Sequence, residues 1–359
     1  MSSRLTSHTA EAMAMDDEEH PDDADPPGAE LQDSSLLVNK QRSAPVGTSS
    51  IRAKKEFSFA RAGVSSTRTG DVITNETVAR QVDAPPQPDS HADPPSAQPV
   101  EPLLPPAAIC DSVIKAGAKK AALRPMKLFL LSVISGCHIG FGSCCALILG
   151  GDLPSIKEDD PGLQKLVFGA FGLPLGLMMT VVTGAELFTS STAFVATAVM
   201  ARKATVGDLV RNWTITYLGN FVGSLIIACL FSAAGVVPVS AAHIAQKKVS
   251  ESFVQAFSRA ILANWLVCMA TWMAAGANDL ASKMVAIWFP ISSFVAMGLE
   301  HSIANMSIIP AGMFLNDHLE TPITVADFLV KNLIPVTLGN AVAGVFAVAA
   351  PYMIAFKHL

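Results

Sequence analysis

The chain has 359 residues, of which half are hydrophobic and only 15% are charged, and its mean hydropathy is +0.41. Soluble domains usually carry about 25% charged residues, so this composition excludes an ordinary soluble protein and indicates a membrane protein. The formal net charge of −5 comes largely from the N-terminal segment, and we expect no nucleic-acid partner. The six cysteines show no metal-binding spacing, and we expect neither a metal nor a cofactor.

Residues 1–107 are predicted to form a disordered cytosolic tail. Residues 1–33 contain ten acidic residues against one basic residue, residues 40–68 are mainly basic, and a proline-rich piece follows. No window holds enough apolar residues to offset the entropy of ordering. We favour a regulatory or merely solvated tail, although residues 40–68 would fit an organellar transit peptide.

Residues 108–359 are predicted to form one all-α membrane domain with six transmembrane helices. About 20 apolar residues are needed to cross a bilayer, and six runs reach that length: about 126–150, 166–202, 207–235, 253–278, 283–314 and 326–355. The second and fifth runs are too long for one straight span. Polar, glycine-flanked sequence interrupts both, TGAELFTSS in the second and GLEHSIANM in the fifth. Two of the six helices are therefore expected to be broken.

Orientation follows from the lysine and arginine residues near the span ends. Most of these basic residues precede span 1, lie between spans 2 and 3, or follow span 6. Basic residues concentrate on the cytosolic side, so both termini are predicted to be cytosolic. We favour the plasma membrane, with the plastid envelope as the alternative. Gly172-xxx-Gly176 and Gly219-xxx-Gly223 would permit close helix approach.

The membrane domain contains an internal repeat. Gly184 and Glu186 align with Gly298 and Glu300, 114 residues later, and LGNFVG aligns with LGNAVA, 120 residues later. The repeats span about 126–235 and 253–355. Three spans per repeat is an odd number, so the second copy must be inverted in the bilayer. Inverted repeats with broken helices are typical of transporters and channels.

The breaks indicate an anion site. Two half-helices, starting near Ser190 and Ser302, would point their N-termini at the centre, where free N–H groups and helix dipoles attract anions. Glu186 and Glu300 would repel an anion, so we interpret both as structural residues that cap backbone N–H groups and tie the breaks to neighbouring spans. His301 has Leu187 as its repeat partner. Imidazole exchanges protons near neutral pH, which favours a functional role.

The motifs GAELFTSS, GLEHSIANM, ILANWLVCMATWM and VKNLIPVTLGN resemble those of the formate–nitrite transporter family, over about residues 108–358. The VKNLIPVTLGN run and the long tail are similar to the algal nitrite carriers of that family. The resemblance implies a homopentamer of aquaporin-like protomers in the lipid bilayer. Each protomer would move small monovalent weak-acid anions, such as formate, nitrite, lactate and hydrosulfide, generally with a proton.

The resemblance also implies roles for single residues. His301 matches the central pore histidine, and Thr189 matches the threonine that faces it. Asn264 matches a pore asparagine and Lys248 a vestibule lysine that draws anions in. The remaining matches are constriction residues and residues of the breaks; the constriction set is Leu177, Phe294, Leu187 and Phe188, and the set with a structural role at the breaks is Glu186, Glu300 and Asn305.

The mechanism implied is passage of a neutralised acid. Desolvation raises the pKa of a weak acid in the vestibule, and the anion takes a proton from His301 or from water near it. Three alternatives differ in substrate or class: a lactate, monocarboxylate or hydrosulfide transporter of the same fold, an aquaporin-like neutral-solute pore, and a membrane-embedded enzyme. The sequence has neither the paired Asn-Pro-Ala motifs of aquaporins nor an H-E-x-x-H or G-x-S-x-G motif, so we predict no enzymatic activity.

Overall fold

The computed structural model describes residues 103–357, and almost all of the predicted tail lies outside them. The predicted tail boundary at 107 is too far along the chain, because Leu103 pairs with Ala277 in an isolated bridge and the first helix begins at Pro106. The backbone N–H of Leu104 donates to the carbonyl of Gly276 at 2.9 Å. These contacts fasten the start of the described chain to the loop between two later helices.

The described chain is almost entirely helical. The helices are α1 (Pro106–Ala121), α2 (Pro125–Gly151), α3 (Pro154–Asp159), α4 (Pro161–Phe171), α5 (Leu173–Thr183), α6 (Phe188–Met200), α7 (Val206–Ala233), α8 (Ser240–Val249), α9 (Phe253–Gly276), α10 (Leu280–Ala296), α11 (Ser302–Met313), α12 (Ile334–Val342) and α13 (Ala350–Lys357). A short 3-10 turn covers Asn316–His318, and π-helical segments, Asp327–Leu333 and Ala343–Ala349, precede α12 and α13.

Within residues 103–357, five helical segments are long and apolar enough to cross a bilayer. They are Pro125–Gly151, Pro161–Thr183, Val206–Ala233, Phe253–Gly276 and Asp327–Lys357. The predicted fifth span is represented by two shorter helices, α10 and α11. The predicted second span consists of α4 and α5, followed after a break by α6. Both interruptions fall at the motifs that the sequence marked, TGAELFTSS and GLEHSIANM.

Both breaks begin at a glycine in the left-handed region. Gly184, with φ +75°, ends α5, and Gly298, with φ +69°, follows α10. Glycine is the residue that adopts this conformation without a Cβ penalty, which is why it commonly ends helices. The next helices restart at Phe188 and Ser302. The prediction of Ser302 is confirmed, whereas α6 starts two residues before the predicted Ser190.

Close packing of α2 against α7 forms the scaffold around the first break. A Cβ atom added to Gly223 would lie 2.0 Å from the carbonyl oxygen of Val133, and one added to Gly219 would lie 2.5 Å from Cβ of Ser132. Similarly, a Cβ atom at Gly176 would lie 2.7 Å from the His138 carbonyl oxygen. These glycines let helix backbones touch, as their spacing predicts.

Two amphipathic helices outside the predicted spans were missed by the sequence reasoning. α1 packs its buried residues, including Cys110 and Val113, against α6 and α9. α8 buries three alanines, and each of the two helices ends with a Lys-Lys pair. Their apolar runs are shorter than a membrane span, so a search for 20-residue segments passes over them. Both position a lysine beside a break.

Candidate functional site

A small apolar cavity lies between the two breaks. Its lining consists of Ile139, Leu173, Leu177, Leu187, Val267, Ile291, Phe294 and His301. Three of the predicted constriction residues border this cavity together with the predicted pore histidine. Phe188, the fourth, is directed elsewhere, and its ring packs edge-to-face on Trp213 and Tyr217.

His301 is buried and held at both ring nitrogens. As the N-cap of α11, its Nδ1 atom accepts the backbone N–H of Ala304 at 3.1 Å. Its Nε2 atom lies 3.0 Å from Oγ1 of Thr189. Since Nδ1 accepts a hydrogen bond, a neutral imidazole here carries its proton on Nε2 and donates it to the threonine hydroxyl. The Phe294 ring stacks on the imidazole at a centroid distance of 5.9 Å.

Thr189 is positioned by α9. Its carbonyl oxygen accepts hydrogen bonds from Nδ2 of Asn264 at 3.3 Å and from Sγ of Cys268 at 3.4 Å. Asn264 also donates to Oγ1 of Thr192 at 3.0 Å and to the carbonyl of Asn340 at 2.6 Å. Asn264 therefore joins the first break to α12, and it is not part of the cavity lining.

Glu300 is buried and has three side-chain partners. Its carboxylate accepts from Nζ of Lys248 at 2.7 Å, from Nδ2 of Asn305 at 2.6 Å and from Nδ2 of Asn332 at 3.2 Å. Lys248, predicted to draw anions into a vestibule, is thus an ion-pair partner with only 16% of its side chain exposed. The carboxylate of Glu300 therefore neutralises the charge of Lys248 locally.

Glu186 occupies the equivalent position in the first break, where Nζ of Lys120 contacts its carboxylate at 2.8 Å. Among the described residues, no backbone N–H group donates to either glutamate side chain, so the expected capping role is wrong. The glutamate side chains attach the breaks to α1 and α8, which lie outside the predicted spans, and within residues 103–357 only that of Glu300 also contacts a further predicted span, through Asn332.

Two asparagines cap the restarting helices instead. Oδ1 of Asn220 accepts the backbone N–H of Phe188, and Oδ1 of Asn340 accepts that of Ser302, both at 2.9 Å. Their Nδ2 groups donate to the carbonyls of Glu186 and Glu300, at 2.9 and 3.2 Å. One amide side chain thereby satisfies groups on both sides of each break, which the ends of interrupted helices require. The cap at Phe188 explains why α6 starts early.

These asparagines and Lys120 are site residues that the sequence reasoning missed. Asn220 and Asn340 belong to the aligned LGNFVG and LGNAVA motifs, but no role was predicted for them. Asn212 and Asn332 share the same 120-residue offset, and their Nδ2 groups donate to the carbonyls of Lys120 and Lys248 at 3.1 and 3.0 Å. Extending the alignment beyond the two matched motifs would have revealed this second pair.

The fold and the site together define a multi-pass membrane protein whose interrupted helices enclose a small, nearly uncharged cavity. The sequence model of the formate/nitrite transporter family matches residues 107–354. The chain belongs to the formate/nitrite transporter family.

Individual relatives agree with this assignment. A probable formate transporter of Methanothermobacter thermautotrophicus is 39% identical over 247 residues, which cover 63% of this chain and 87% of the relative. A solved structure described as an FNT family ion channel is 31% identical with a TM-score of 0.62, and the match covers 69% of this chain and 98% of that one. A second solved structure, described as a pentameric formate channel with formate bound, is 32% identical with a TM-score of 0.56. That match covers 65% of this chain and 98% of the channel's chain.

Proposed function

We propose that the protein is a homopentameric channel or transporter for small monovalent weak-acid anions, formate and nitrite first among them, with a proton accompanying each anion. The observation that carries this proposal is the buried His301–Thr189 pair, joined at 3.0 Å, at the edge of a cavity otherwise lined by apolar side chains. Relatives described as formate transporters and a pentameric formate channel support the substrate class and the assembly.

The lining of the cavity favours neutral solutes over ions. Seven of its eight lining residues are apolar, and moving an isolated carboxylate into such surroundings costs far more than moving the neutral acid. A weak-acid anion escapes this cost by taking up a proton, because desolvation raises its pKa. Chloride, the anion of a strong acid, has no such route. Selectivity for weak acids follows from the lining without any fixed charge in the cavity.

The hydrogen bonds of His301 favour water as the proton source. A neutral imidazole with its proton on Nε2 can accept a further proton only at Nδ1, and that atom holds the cap of α11. Protonating the ring would break this cap and leave the N–H of Ala304 without its acceptor. We therefore assign His301 the role of hydrogen-bond donor, whose Nε2–H would exchange the Thr189 hydroxyl for the substrate as its acceptor, while the proton arrives from the vestibule water.

The proposed architecture is six spans in a 3+3 inverted repeat, with both termini cytosolic in the plasma membrane. It is supported by the matching contacts of the two breaks, since each has a glutamate, a lysine and a capping asparagine in the same arrangement. The distribution of basic residues supports the orientation. Leu177, Phe294 and Leu187 are the proposed constriction residues.

Uptake by proteoliposomes tests the proposal. Purified protein should take up formate and nitrite faster when the outside is acidic and should not admit chloride. The His301→Phe variant should lose uptake while still assembling as a pentamer on size exclusion. His243→Phe is the matched control, because His243 is exposed on α8, and it should transport normally. Undiminished, pH-dependent uptake by His301→Phe would contradict the role of the imidazole.

The same assay separates the alternatives. Uptake rates of formate, nitrite, acetate, lactate and hydrosulfide, measured at two pH values, show how transport depends on the size of the acid. The small cavity favours the first two. If lactate is taken up faster than formate, the chain is a monocarboxylate transporter of the same fold and mechanism. Water or glycerol flux without acid flux would instead indicate a neutral-solute pore and would overturn the proposal.

A further inference from the structure

Besides Leu187 and His301, the two breaks differ at a second position that matters for their hydrogen bonding. With the glutamates aligned, Ser191 of the first break corresponds to Asn305 of the second, 114 residues later. In the second break the Asn305 amide is central, since its Nδ2 group donates to Glu300 at 2.6 Å and to Oδ1 of Asn332 at 2.8 Å. Serine has no amide group with which to make either bond.

The first break accordingly contains buried polar atoms without partners. Among the described residues, Oγ of Ser191 and Oδ1 of Asn212 accept or donate no hydrogen bond, and both residues are 0% exposed. Asn212 corresponds to Asn332, so the atom left over in the first break is the one that Asn305 satisfies in the second. Buried polar groups of this kind are nearly always paired, with protein or with ordered water.

A second replacement makes the same region more polar. Thr216 corresponds to Val336 of the second copy, and it lies one turn after Asn212 on α7, hence on the same helix face. Its hydroxyl is also buried and without a partner among the residues described. Within residues 103–357, Ser191, Asn212 and Thr216 thus carry unpaired groups at the positions that correspond to Asn305, Asn332 and Val336, where the second copy leaves one side-chain atom unpaired, Oδ1 of Asn305.

We propose that the first break contains a buried binding site for one ordered water molecule, formed by Ser191, Asn212 and the carboxylate of Glu186. The water would take the place of the Asn305 amide nitrogen: it donates to Oδ1 of Asn212 and to Glu186, and it accepts from the Ser191 hydroxyl. Three partners are typical of buried water, and serine is shorter than the asparagine at the corresponding position of the second break. Thr216 supplies a further polar neighbour.

The water site makes the two carboxylates unequal. Glu300 is held by one cation and two amide groups that belong to the protein. Glu186 is held by Lys120 and, in this proposal, by an exchangeable solvent molecule. The carboxylate of the first break is therefore hydrated from within the protein, whereas that of the second break is fixed entirely by side chains.

A structure determination by electron cryo-microscopy in lipid nanodiscs, at a resolution that shows ordered water, tests the proposal directly. We expect a density peak within hydrogen-bonding distance of the Ser191 hydroxyl and the Asn212 carboxamide. In the Ser191→Asn variant the water peak should be absent, because the amide group should occupy its position and form hydrogen bonds with Glu186 and Asn212. An empty site in the wild-type map, where other buried waters are visible, would overturn the proposal.

Thermal melting of the purified protein gives a second readout that does not depend on transport. Removing a dry, unpaired buried hydroxyl stabilises a protein, whereas removing one that holds a bridging water destabilises it. We expect Ser191→Ala to lower the melting temperature and Ser191→Asn to retain it. A higher melting temperature for Ser191→Ala would show that the site is dry and would refute the proposal.

Discussion

Replacing Lys248 by methionine distinguishes a structural lysine from one that attracts substrate. The change keeps the length of the side chain but removes the cation that lies 2.7 Å from Glu300. Glu300 is 2% exposed and would stay buried as an anion with two amide donors. Removing one partner of a buried ion pair typically costs about 3–5 kcal/mol. The remaining amides place the expected loss near the lower end, at about 3 kcal/mol.

A loss of that size is measurable as a melting temperature. For a domain of this size, 1 kcal/mol corresponds to a shift of roughly 2–4 °C, so Lys248→Met should melt about 6–12 °C below the wild type. The double variant Lys248→Met/Glu300→Gln should recover much of the loss, because the neutral amide no longer needs a cation. Nanodisc-embedded protein, followed by intrinsic fluorescence, provides the assay.

Lys247→Met is the matched control. Lys247 is the exposed neighbour on α8 and makes no ion pair within residues 103–357, so this variant removes the same charge without breaking a contact and should melt like the wild type. If Lys248→Met also melts like the wild type, and loses only uptake at low substrate concentration, the structural reasoning is refuted. Lys248 would then be an anion-attracting residue, as the family resemblance implies.

Three further substitutions test the scaffold and the pore. Gly223→Ala should disrupt assembly, because its Cβ would lie 2.0 Å from a carbonyl oxygen of α2. Gly207→Ala is the control. Its Cβ would meet only a hydroxyl at 3.6 Å, and the variant should assemble normally on size exclusion. Thr189→Val should slow formate uptake at least several-fold, and it should lower the unfolding free energy by about 1–3 kcal/mol, because the buried Nε2–H of His301 loses its acceptor. Asn340→Leu leaves a buried backbone N–H and two carbonyls without their side-chain partner and should lower the unfolding free energy by about 2–5 kcal/mol, seen as loss of the pentamer.

The membrane-spanning parts of the fold could be predicted because hydrophobicity specifies them locally. The apolar runs and the glycine-flanked interruptions are visible in the sequence itself. The positions of Gly184 and Gly298 follow because the end of a helix needs a residue that adopts the left-handed conformation. α1 and α8 could not be found in this way. Each is short and half polar, and its burial depends on what the rest of the fold places against it.

The candidate site was predictable residue by residue only where a motif carried it. His301 and Thr189 belong to the two break motifs, and the structure brings them within hydrogen-bonding distance. The partners of the glutamates could not be read from the sequence, because Lys120 lies 66 residues before Glu186 and Lys248 lies 52 residues before Glu300. Pairing across such separations is determined by helix packing. The roles of the asparagines became visible only with their backbone partners.

The arrangement of charges around the breaks keeps both carboxylates out of the lining of the cavity between them. Each break carries a carboxylate, yet Glu186 is directed to Lys120 and Glu300 to Lys248, so neither charge belongs to the lining. The two residues that follow the glutamates, Leu187 and His301, are equivalent in the repeat, and both do border the cavity. The two matching breaks thus present one apolar and one hydrogen-bonding side chain to the same space. We infer that the ion pairs attach the breaks to α1 and α8, and that the single imidazole, donating through Nε2, is what remains to recognise a neutral acid.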